Sequence, residues 1–328
     1  MRVLRKKMAG DDVRKWQEFL LSKGFDPNGT DGVFGPGTEA ASIAFQKANG
    51  LKGDGIIGND TFAVAMAQGY ALLPHHEAPA PTGNVVKVKT IADGVIIWKL
   101  SDNGAVFFTS DMDVDADGCA TAYGPNNSGL DLNGNAQSPT SSGKWNPNVL
   151  VLGSDKQPIR QSNSDPAPGF FICKSSLQDK TKDVDDPRRY VDALKVPFIV
   201  LPGGSAGPAG MGDAALVIDL KTKRQIKCLV ADAGPAAKTG EASIQVCGVI
   251  LDDLTPKQIE AAAKKDKLKG LKCNPRNGGV GGPSNRRFRY IVFPGTTMTW
   301  PQTVSEIEAR VDGALARLTP EQIIAITT

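Results

Sequence analysis

The spacing of apolar residues changes along the chain and divides it into two parts. Residues 11–25 and 39–50 carry apolar side chains three and four positions apart, which is the spacing of an amphipathic helix. Gly24 is placed to end the first helix, and Thr61 precedes a third apolar segment, "FAVAMAQG". The pattern predicts a small three-helix domain over residues 1–73. Its two apolar stripes consist of Val13, Trp16, Phe19 and Leu20, and of Ala41, Ala44, Phe45 and Ala48.

From residue 86 onward the apolar residues occur in short runs separated by Gly, Pro and Asx turns. Nine such runs predict strands, and helical patterns appear only near the C-terminus. This distribution is typical of an α+β domain with a barrel-like or sandwich-like core, and we predict the β-barrel-like form over residues 86–328. The runs are "VVKVKTI", "GVIIWKL", "AVFFTS", "NVLVLG", "GFFICKS", "VPFIVL", "AALVIDL", "IKCLVAD" and "RYIVFPG".

The segment "LLPHHEAPAPTGN" is rich in Pro and Ala, which predicts a linker over residues 74–85. It contains both histidines of the chain, His75 and His76. Because a linker is a poor place for a catalytic base, catalysis by Ser–His–Asp or Cys–His groups is not expected. Zinc hydrolases with histidine ligands lack their ligands here. Any proton chemistry must therefore use carboxylates, Lys or Tyr.

Composition adds several expectations. The net charge of +3 is small and its Lys and Arg residues are scattered, which does not indicate a nucleic-acid partner. No apolar run approaches roughly 18 residues, so no membrane span is predicted. The basic start "MRVLRKKMAGDD" has no apolar segment after it, so we predict no signal peptide and synthesis in the cytoplasm. The five cysteines lack CxxC spacing and are expected as buried thiols. We expect a monomer, with no metal and no cofactor.

Two octapeptides, "DGVFGPGT" (31–38) and "DGIIGNDT" (54–61), share a pattern of D-G, two apolar residues, G-x-x-T. The Gly residues suit tight turns. With "VRKWQEFL" before them and "AFQ" between them, they make residues 10–68 similar to the peptidoglycan-binding domain of bacterial and phage cell-wall hydrolases. The resemblance implies contacts with glycan or stem peptide near Asp31, Phe34 and Asp54. A purely structural role in the turns remains open for each.

Three acidic segments compete as the functional site of the second domain. "DMDVDADG" spaces Asp113, Asp115 and Asp117 like the first ligands of an EF-hand loop, but the twelfth position is Gly124 instead of Glu. A polar turn, or a wall of a cleft for a cationic substrate that includes Asp111, is favoured over a calcium site. The segment "DKTKDVDDPRRYVDA" predicts a salt-bridged turn, because its Asp and Arg residues can pair.

The third segment, "CLVADAGPAAKTGEASIQVCG" (228–248), places Asp232 after an apolar run and Glu241 at the start of a predicted short helix. Apolar neighbours are expected to raise the pKa of Asp232, whereas a helix N-terminus favours an ionised Glu241 by about 0.3–1 kcal/mol. Glycoside hydrolysis requires one protonated and one ionised carboxyl group. A strand-end Asp and a helix-capping Glu without catalytic roles would give the same pattern.

A second resemblance favours catalysis. "FFTSDMDVDADGCATAYGPNNSGLD", "DPRRYVDALKVPFIVLPGG" and "GDAALVIDLKTKRQIKCLVADAGPAAKTGEAS" make residues 105–296 similar to glycoside hydrolase family 75, the fungal chitosanases and their bacterial and phage relatives. The resemblance implies that Asp232 and Glu241 are the essential carboxylates of an inverting mechanism, about 6.5–9.5 Å apart. We assign Asp232 as acid and Glu241 as base, and the reverse order remains open.

These features predict a lysozyme-like glycosidase that cuts β-1,4 bonds between the amino sugars of peptidoglycan while its N-terminal domain holds it on the polymer. One alternative is a chitosanase, in which Asp111 and Asp113 would help to bind the polycationic substrate. Another is a wall-binding protein without catalytic activity. Without a signal peptide, delivery to the cell wall or periplasm would depend on a holin or a secretion system.

Overall fold

The computed structural model describes residues 3–8, 10–70, 84–102, 104–137, 143–264, 267–282, 285–298, 300 and 303–328. Most of the predicted linker over residues 74–85 lies outside the described residues. The chain divides into two compact units. The first unit is Met1–Ala80 with Gly282–Ser284, and the second unit is Pro81–Gly281 with Asn285–Thr328.

The three predicted helices of the first unit are present as α1 (Asp11–Ser22), α2 (Pro36–Ala48) and α3 (Asn59–Ala67). Gly24 follows the end of α1 with a φ of +81°, a conformation that suits glycine. Helices α2 and α3 begin earlier than predicted, because Gly35 and Gly58 are their N-caps. Thr38 and Thr61 therefore lie inside the first turns of these helices.

Aromatic side chains form the core of the first unit. Trp16 is fully buried, and its ring makes edge contacts with Phe45 at 5.5 Å and with Tyr70 at 5.6 Å between ring centroids. Its indole N–H donates a buried hydrogen bond of 2.8 Å to Ser42 Oγ. The predicted stripe of α1 is buried in this core, as expected. The stripe of α2 is correct only for Ala41 and Phe45, because Ala44 and Ala48 are exposed and the polar residues Ser42 and Gln46 occupy the buried face instead.

The second unit is built on one mixed sheet. The nine strands found among its described residues occur in the spatial order β1-β2-β3-β9-β6-β7-β5-β8-β4. Most neighbours are antiparallel, whereas β5 pairs in parallel with β7 and β4 pairs in parallel with β8. The strands are β1 (Val85–Thr90), β2 (Ile96–Leu100), β3 (Val106–Ser110), β4 (Asp113–Asp115), β5 (Phe198–Pro202), β6 (Ala214–Asp219), β7 (Gln225–Gly234), β8 (Glu241–Ser243) and β9 (Phe288–Phe293).

The prediction of a β-barrel-like core is wrong, because the sheet is open. Strands β1 and β4 are its two edges, and the described residues contain no pairing between them. The residues of β5, β6 and β9 are buried along their whole length, as in a sheet that has both faces covered. Packing of helices against the sheet, instead of closure on itself, therefore buries its apolar side chains.

In the part of the second unit that the structure describes, the α-helices are α4 (Ile244–Asp252), α5 (Pro256–Lys264), α6 (Val304–Leu315) and α7 (Pro320–Thr327). Helix α4 packs against β4, β5 and β7, and α6 packs against β6 and β7. Thr319 and Gln322 form a reciprocal capping box at the start of α7.

Two predicted strands, "NVLVLG" and "GFFICKS", do not extend the sheet. They pair only through isolated bridges such as Leu150 with Cys173 and Leu152 with Pro158. The chain turns at Lys156, which has a φ of +63°. Pro158 has no N–H to donate, so the ladder does not continue.

The cysteines and the lengths of the helices bear on two expectations from the composition. All five cysteines are buried and unpaired, as predicted. Within the described residues, no helix has the length and apolar character needed to cross a membrane.

Candidate active site

Parallel pairing of β4 with β8 brings two acidic segments together. Asp113 lies opposite Glu241, and Asp115 lies opposite Ser243. Since side chains alternate along a strand, Asp113 and Asp115 project from the same face of β4. The buried Ala242 of β8 pairs in turn with Ile199 of β5, which attaches this edge to the rest of the sheet. The acids therefore lie at a sheet edge that a buried strand supports.

Asp232 projects from β7, the other neighbour of β5. In the parallel pairing of these strands, Ile199 lies opposite Val230 and Val200 lies opposite Asp232, so Ala231 is an extra residue in β7. Such a bulge changes the direction in which the next side chain, that of Asp232, projects from the strand. The carbonyl of Ala231 accepts a hydrogen bond from the N–H of Leu177. The segment that precedes Leu177 is thereby held beside Asp232.

The Asp232 carboxylate is 7% exposed and strongly hydrogen-bonded. Its Oδ1 accepts hydrogen bonds from the hydroxyl group of Ser176 at 2.5 Å, the N–H of Ser176 at 3.1 Å and the N–H of Ala233 at 2.7 Å. Burial raises the pKa of Asp232 to about 6, the hydrogen bonds from Ser176 and Ala233 oppose this rise, and the charge of Glu241 adds to it. Asp232 can therefore hold or release a proton near neutral pH.

Asp115 and Asp117 form a cluster with Asp232, with one carboxylate oxygen from each residue within 4.8 Å of the others. Burial and mutual repulsion raise the pKa of Asp115 and of Asp117 well above the usual range. The hydroxyl group of Tyr123 donates to Asp117 at 3.1 Å and to Asp131 at 2.9 Å. Three carboxylate oxygens could hold a hard cation, although a calcium ion takes six to eight oxygen ligands.

Asp113 lies in a different environment from the other two acids of its motif. Lys238 Nζ lies 2.9 Å from Asp113 Oδ2 and 2.8 Å from Glu241 Oε1. Burial alone would lower the pKa of Lys238, but the two carboxylates outweigh burial and raise it. Burial also raises the pKa of Asp113, and the charge of Lys238 opposes that rise. Lys238 thus joins β4 to the loop before β8.

The position of Glu241 differs from the prediction. Glu241 lies in β8, and α4 begins only at Ile244, where Ser243 is the N-cap and accepts a hydrogen bond from Val246 N–H. Ser243, and not Glu241, therefore caps the N-terminus of α4. The partner of the Glu241 carboxylate is the ammonium group of Lys238.

Glu241 and Asp232 share one face of the sheet. A side-chain carbon added at Gly234 would lie 2.5 Å from Glu241 Oε2, so the carboxylate of Glu241 lies directly over that position of β7. Gly234 follows Asp232 by two residues, and alternate residues of a strand project from one face about 7 Å apart. The two carboxyl groups therefore project from the same face of the sheet, and the missing side chain of Gly234 leaves room for the carboxylate of Glu241.

Asp111 lies at the end of the same acidic segment. Its Oδ1 accepts a hydrogen bond of 2.9 Å from Ser110 Oγ, and its carbonyl accepts one from the hydroxyl group of Tyr290. A side chain at Gly240 would collide with Asp111. Asp111 therefore contacts the loop that carries Lys238 and lies next to the site.

The structure places the predicted binding residues of the first unit in a repeated hydrogen-bond motif. The amide of Gln17 donates to Asp31 and Thr38 and accepts from Gly32 N–H. The amide of Gln46 makes the same three bonds in the second repeat, to Asp54, Thr61 and Gly55. The repeat in the sequence is thus a repeat in structure.

These contacts change the expectation for individual side chains. The hydrogen bonds, led by that from Val33 N–H in one repeat and Ile56 N–H in the other, lower the pKa of Asp31 and of Asp54. Phe34 is fully buried in the core. The neighbouring apolar residues Val33 and Ile56 are 49% and 42% exposed at equivalent positions of the two turns. They form the apolar surface of the turns.

Sequence reasoning missed two residues of the acidic site. Lys238 precedes Glu241 by three positions, and this spacing was a signal that could have been used. Ser176 had no such signal, because only the fold brings it to Asp232. The salt-bridged turn is present in part, since Arg188 pairs with Asp165 and Asp186 at 3.2 Å each.

A separate cavity of about 390 Å³ lies between α6 and the turn after β9. Its lining includes Thr296, Glu306 and Arg310. Glu306 caps α6 through Thr303. Because the cavity lacks the acidic cluster, we take the site around Asp232 and Glu241 as the candidate active site.

Comparison with known proteins supports the assignment of the first unit. Residues 9–64 match the family described as "Putative peptidoglycan binding domain". The chain is similar to a "Probable N-acetylmuramoyl-L-alanine amidase" of Bacillus licheniformis, with 34% identity over 95 residues, or 28% of this chain and 24% of the relative. It is also similar to "N-acetylmuramoyl-L-alanine amidase CwlL" of the same organism, with 45% identity over 62 residues and 17% of each chain.

Two solved structures also match. The N-terminal domain of SleB has 36% identity and a TM-score of 0.20, over 20% of this chain and 92% of the SleB chain. An L,D-transpeptidase from Xylanimonas cellulosilytica has 27% identity and a TM-score of 0.20, over 36% and 54% of the two chains.

The chain spans less than a quarter of the length of the curated relatives that it matches. The family match over residues 9–64 supports a peptidoglycan-binding domain at the N-terminus and a function related to the cell wall.

Proposed function

We propose that the second unit hydrolyses glycosidic bonds between amino sugars of peptidoglycan, with Asp232 as general acid and Glu241 as general base. The observation that carries this proposal is the pairing of a buried carboxyl group, whose pKa is raised to about 6, with a second carboxylate on the same sheet face. The first can donate a proton to the leaving oxygen, and the second can accept one from water. The resemblance of residues 105–296 to glycoside hydrolase family 75 supports the same pair.

The resemblance of residues 105–296 to glycoside hydrolase family 75 implies inversion at the anomeric carbon. Retaining enzymes place their two carboxyl groups about 5–5.5 Å apart, whereas inverting enzymes leave about 6.5–9.5 Å so that water fits beside the sugar. The small residue Gly234 under the carboxylate of Glu241 leaves room for such a water molecule. In this mechanism Glu241 activates water while Asp232 protonates the oxygen of the departing sugar.

Hydrolysis of an amide bond fits the site less well, although the relatives that match are named as amidases. A zinc-dependent amidase of the histidine-ligand type needs imidazole ligands, and the only two histidines are adjacent, at His75 and His76. We therefore favour the glycosidic bond.

A chitosanase is the second candidate, and a specific observation favours it. The carboxyl groups of Asp113, Asp115, Asp117, Asp232 and Glu241 lie together with one ammonium group, that of Lys238, so carboxyl groups outnumber cations at the site. Such a cluster would attract a glucosamine polymer, which is positively charged.

The first unit serves as an anchor in this proposal. Binding to peptidoglycan would raise the local concentration of glycan at the second unit without adding a contact there. A protein synthesised in the cytoplasm and released by a holin or a secretion system would reach this substrate in the wall or periplasm.

Digestion of purified bacterial sacculi tests the proposed function. We expect soluble products with new reducing ends on N-acetylmuramic acid or N-acetylglucosamine, identified by mass spectrometry after borohydride reduction. Stem peptides freed from intact glycan would identify an amidase and contradict the proposal. Cleavage of chitosan alone would support the second candidate.

A further inference from the structure

Lys238 places an ammonium group where two carboxylates of the candidate active site converge. Its Nζ lies 2.9 Å from Asp113 and 2.8 Å from Glu241. The side chains of both acids are about four-fifths buried, with exposures of 21% and 22%, whereas that of Lys238 is 43% exposed. Among the described residues, no other Lys or Arg forms an ion pair with either acid. The protein thus supplies its own cation to a pocket of negative charge.

The remaining acids of the site lie close to this ion pair. Asp115 and Asp117 lie beside Asp113 along the chain and close to Asp232 in space. If the Lys238 ammonium is removed, the two carboxylates that it joins become a binding site for any ammonium of similar size. Two buried carboxylates attract a cation much more strongly than exposed ones, because the surrounding dielectric constant is lower.

Amino sugars differ at the one group that such a site would recognise. Glucosamine carries a primary amine that is protonated at neutral pH, whereas N-acetylglucosamine and N-acetylmuramic acid carry a neutral acetamido group. A glucosamine ammonium would compete with Lys238 for Asp113 and Glu241 and would meet repulsion from Lys238 itself. A neutral acetamido group would meet neither effect.

We propose that Lys238 determines substrate specificity: its ammonium occupies the cation position between Asp113 and Glu241, so that the site favours N-acetylated sugars over sugars with a free amine. This inference rests on the proposed function, since it concerns which amino-sugar polymer the same carboxylates cleave. It also explains how a site rich in acids can serve peptidoglycan. Lysine is suited to this role because its ammonium is the same kind of donor as the amine of glucosamine.

The test compares wild type, Lys238→Met and Lys238→Arg on a matched pair of substrates. One is peptide-free glycan prepared from sacculi, and the other is the same glycan after enzymatic N-deacetylation. The readout is the ratio of kcat/KM on the acetylated glycan to kcat/KM on the deacetylated glycan. A ratio is insensitive to a general loss of active protein. Lys238→Arg is the matched control because it keeps the positive charge.

We expect wild type and Lys238→Arg to prefer the acetylated glycan, and the ratio to fall at least tenfold in Lys238→Met. An unchanged ratio in Lys238→Met, with both glycans still cleaved, would overturn the inference and leave the proposed function intact. Failure of the wild type to cleave either glycan would refute the proposed function, and the inference would fall with it.

If Lys238→Met no longer cleaves either glycan, binding of a glucosamine tetramer tests the inference instead. Calorimetry with a glucosamine tetramer then compares this variant with the wild type at low and high salt. Binding that is at least tenfold tighter in the variant, and weakened by salt, supports the inference. Equal binding to both proteins overturns it.

Discussion

Asp113 and Glu241 lie opposite each other in the parallel pairing of β4 with β8, and the ammonium of Lys238 contacts both carboxylates. This relationship connects the acidic motif that begins at Asp111 with the segment that contains Asp232. Two parts of the chain that compete as separate candidates in the sequence therefore form one site.

Glu241→Gln is expected to reduce hydrolysis of sacculi by about a hundred- to ten-thousand-fold, because the amide cannot accept a proton from water. Binding to sacculi is expected to stay unchanged, since the first unit carries it. Release of reducing ends and a pull-down with sacculi measure the two effects. Asp312→Asn, an exposed acid on α6, is the matched control and should retain activity. A Glu241→Gln variant as fast as the wild type would refute the catalytic assignment.

Ser176→Ala is expected to shift the pH dependence of hydrolysis. The hydroxyl group of Ser176 donates to Asp232 and lowers the pKa of that carboxyl group. Loss of this hydrogen bond should move the alkaline limb of kcat/KM, which reports deprotonation of the acid, upward by about one pH unit. A full pH profile of kcat/KM measures this shift. A lower rate with an unmoved alkaline limb would argue that Asp232 is not the acid.

Asp232→Asn is expected to stabilise the fold at neutral pH while abolishing hydrolysis. The pKa of Asp232 is raised from 3.8 to about 6 by burial, so its contribution to stability is present below about pH 4 and is lost as the pH rises through 6. The loss is at most about 3 kcal/mol, and the variant avoids it because an amide does not ionise. Asn can still accept the hydrogen bonds of Ser176.

Urea unfolding of the wild type and Asp232→Asn at several pH values measures this difference. We expect the free energies of unfolding to converge below pH 4 and the variant to be more stable at pH 8. A variant that is less stable at every pH would contradict the raised pKa of Asp232.

Gln17→Ala is expected to destabilise the first unit by about 1–3 kcal/mol, because it leaves Gly32 N–H and Thr38 without their buried partner. Thermal unfolding of the full chain detects the loss. Gln68→Ala, in an exposed glutamine after α3, is the control and should change the stability by less than about 0.5 kcal/mol. Equal stability of the two variants would mean that the repeated hydrogen-bond motif does not hold the turns.

Val33→Ser combined with Ile56→Ser is expected to weaken binding to sacculi by about tenfold, because the pair forms the exposed apolar surface of the two turns. A pull-down in the Glu241→Gln background measures binding without digestion. Leu21→Ser, which removes a side chain that is 53% exposed on α1 of the same unit, is the control. If the control weakens binding equally, the two turns are not the contact surface.

Local patterns predicted much of the secondary structure and the core of the first unit. The apolar stripe of α1 and the turn at Gly24 depend on neighbours within a few residues, so their spacing is visible in the chain. The stripe of α2 was correct only in part, since Ala44 and Ala48 are exposed. The barrel prediction was wrong because strand count and alternation do not report which strand pairs with which. Pairing between distant strands and the packing of α4 and α6 decide whether a sheet closes.

The sequence by itself determined which acids are available for chemistry, and it placed both histidines in one predicted linker. Only the tertiary structure decided that Ser176 donates to Asp232, that Lys238 joins Asp113 to Glu241 and that Asp115 and Asp117 lie beside Asp232. The physical reason is that the pKa of a carboxyl group depends on its burial and on charges within a few ångströms. In this protein those charges come from segments that are far apart in the chain and meet only through the register of one sheet.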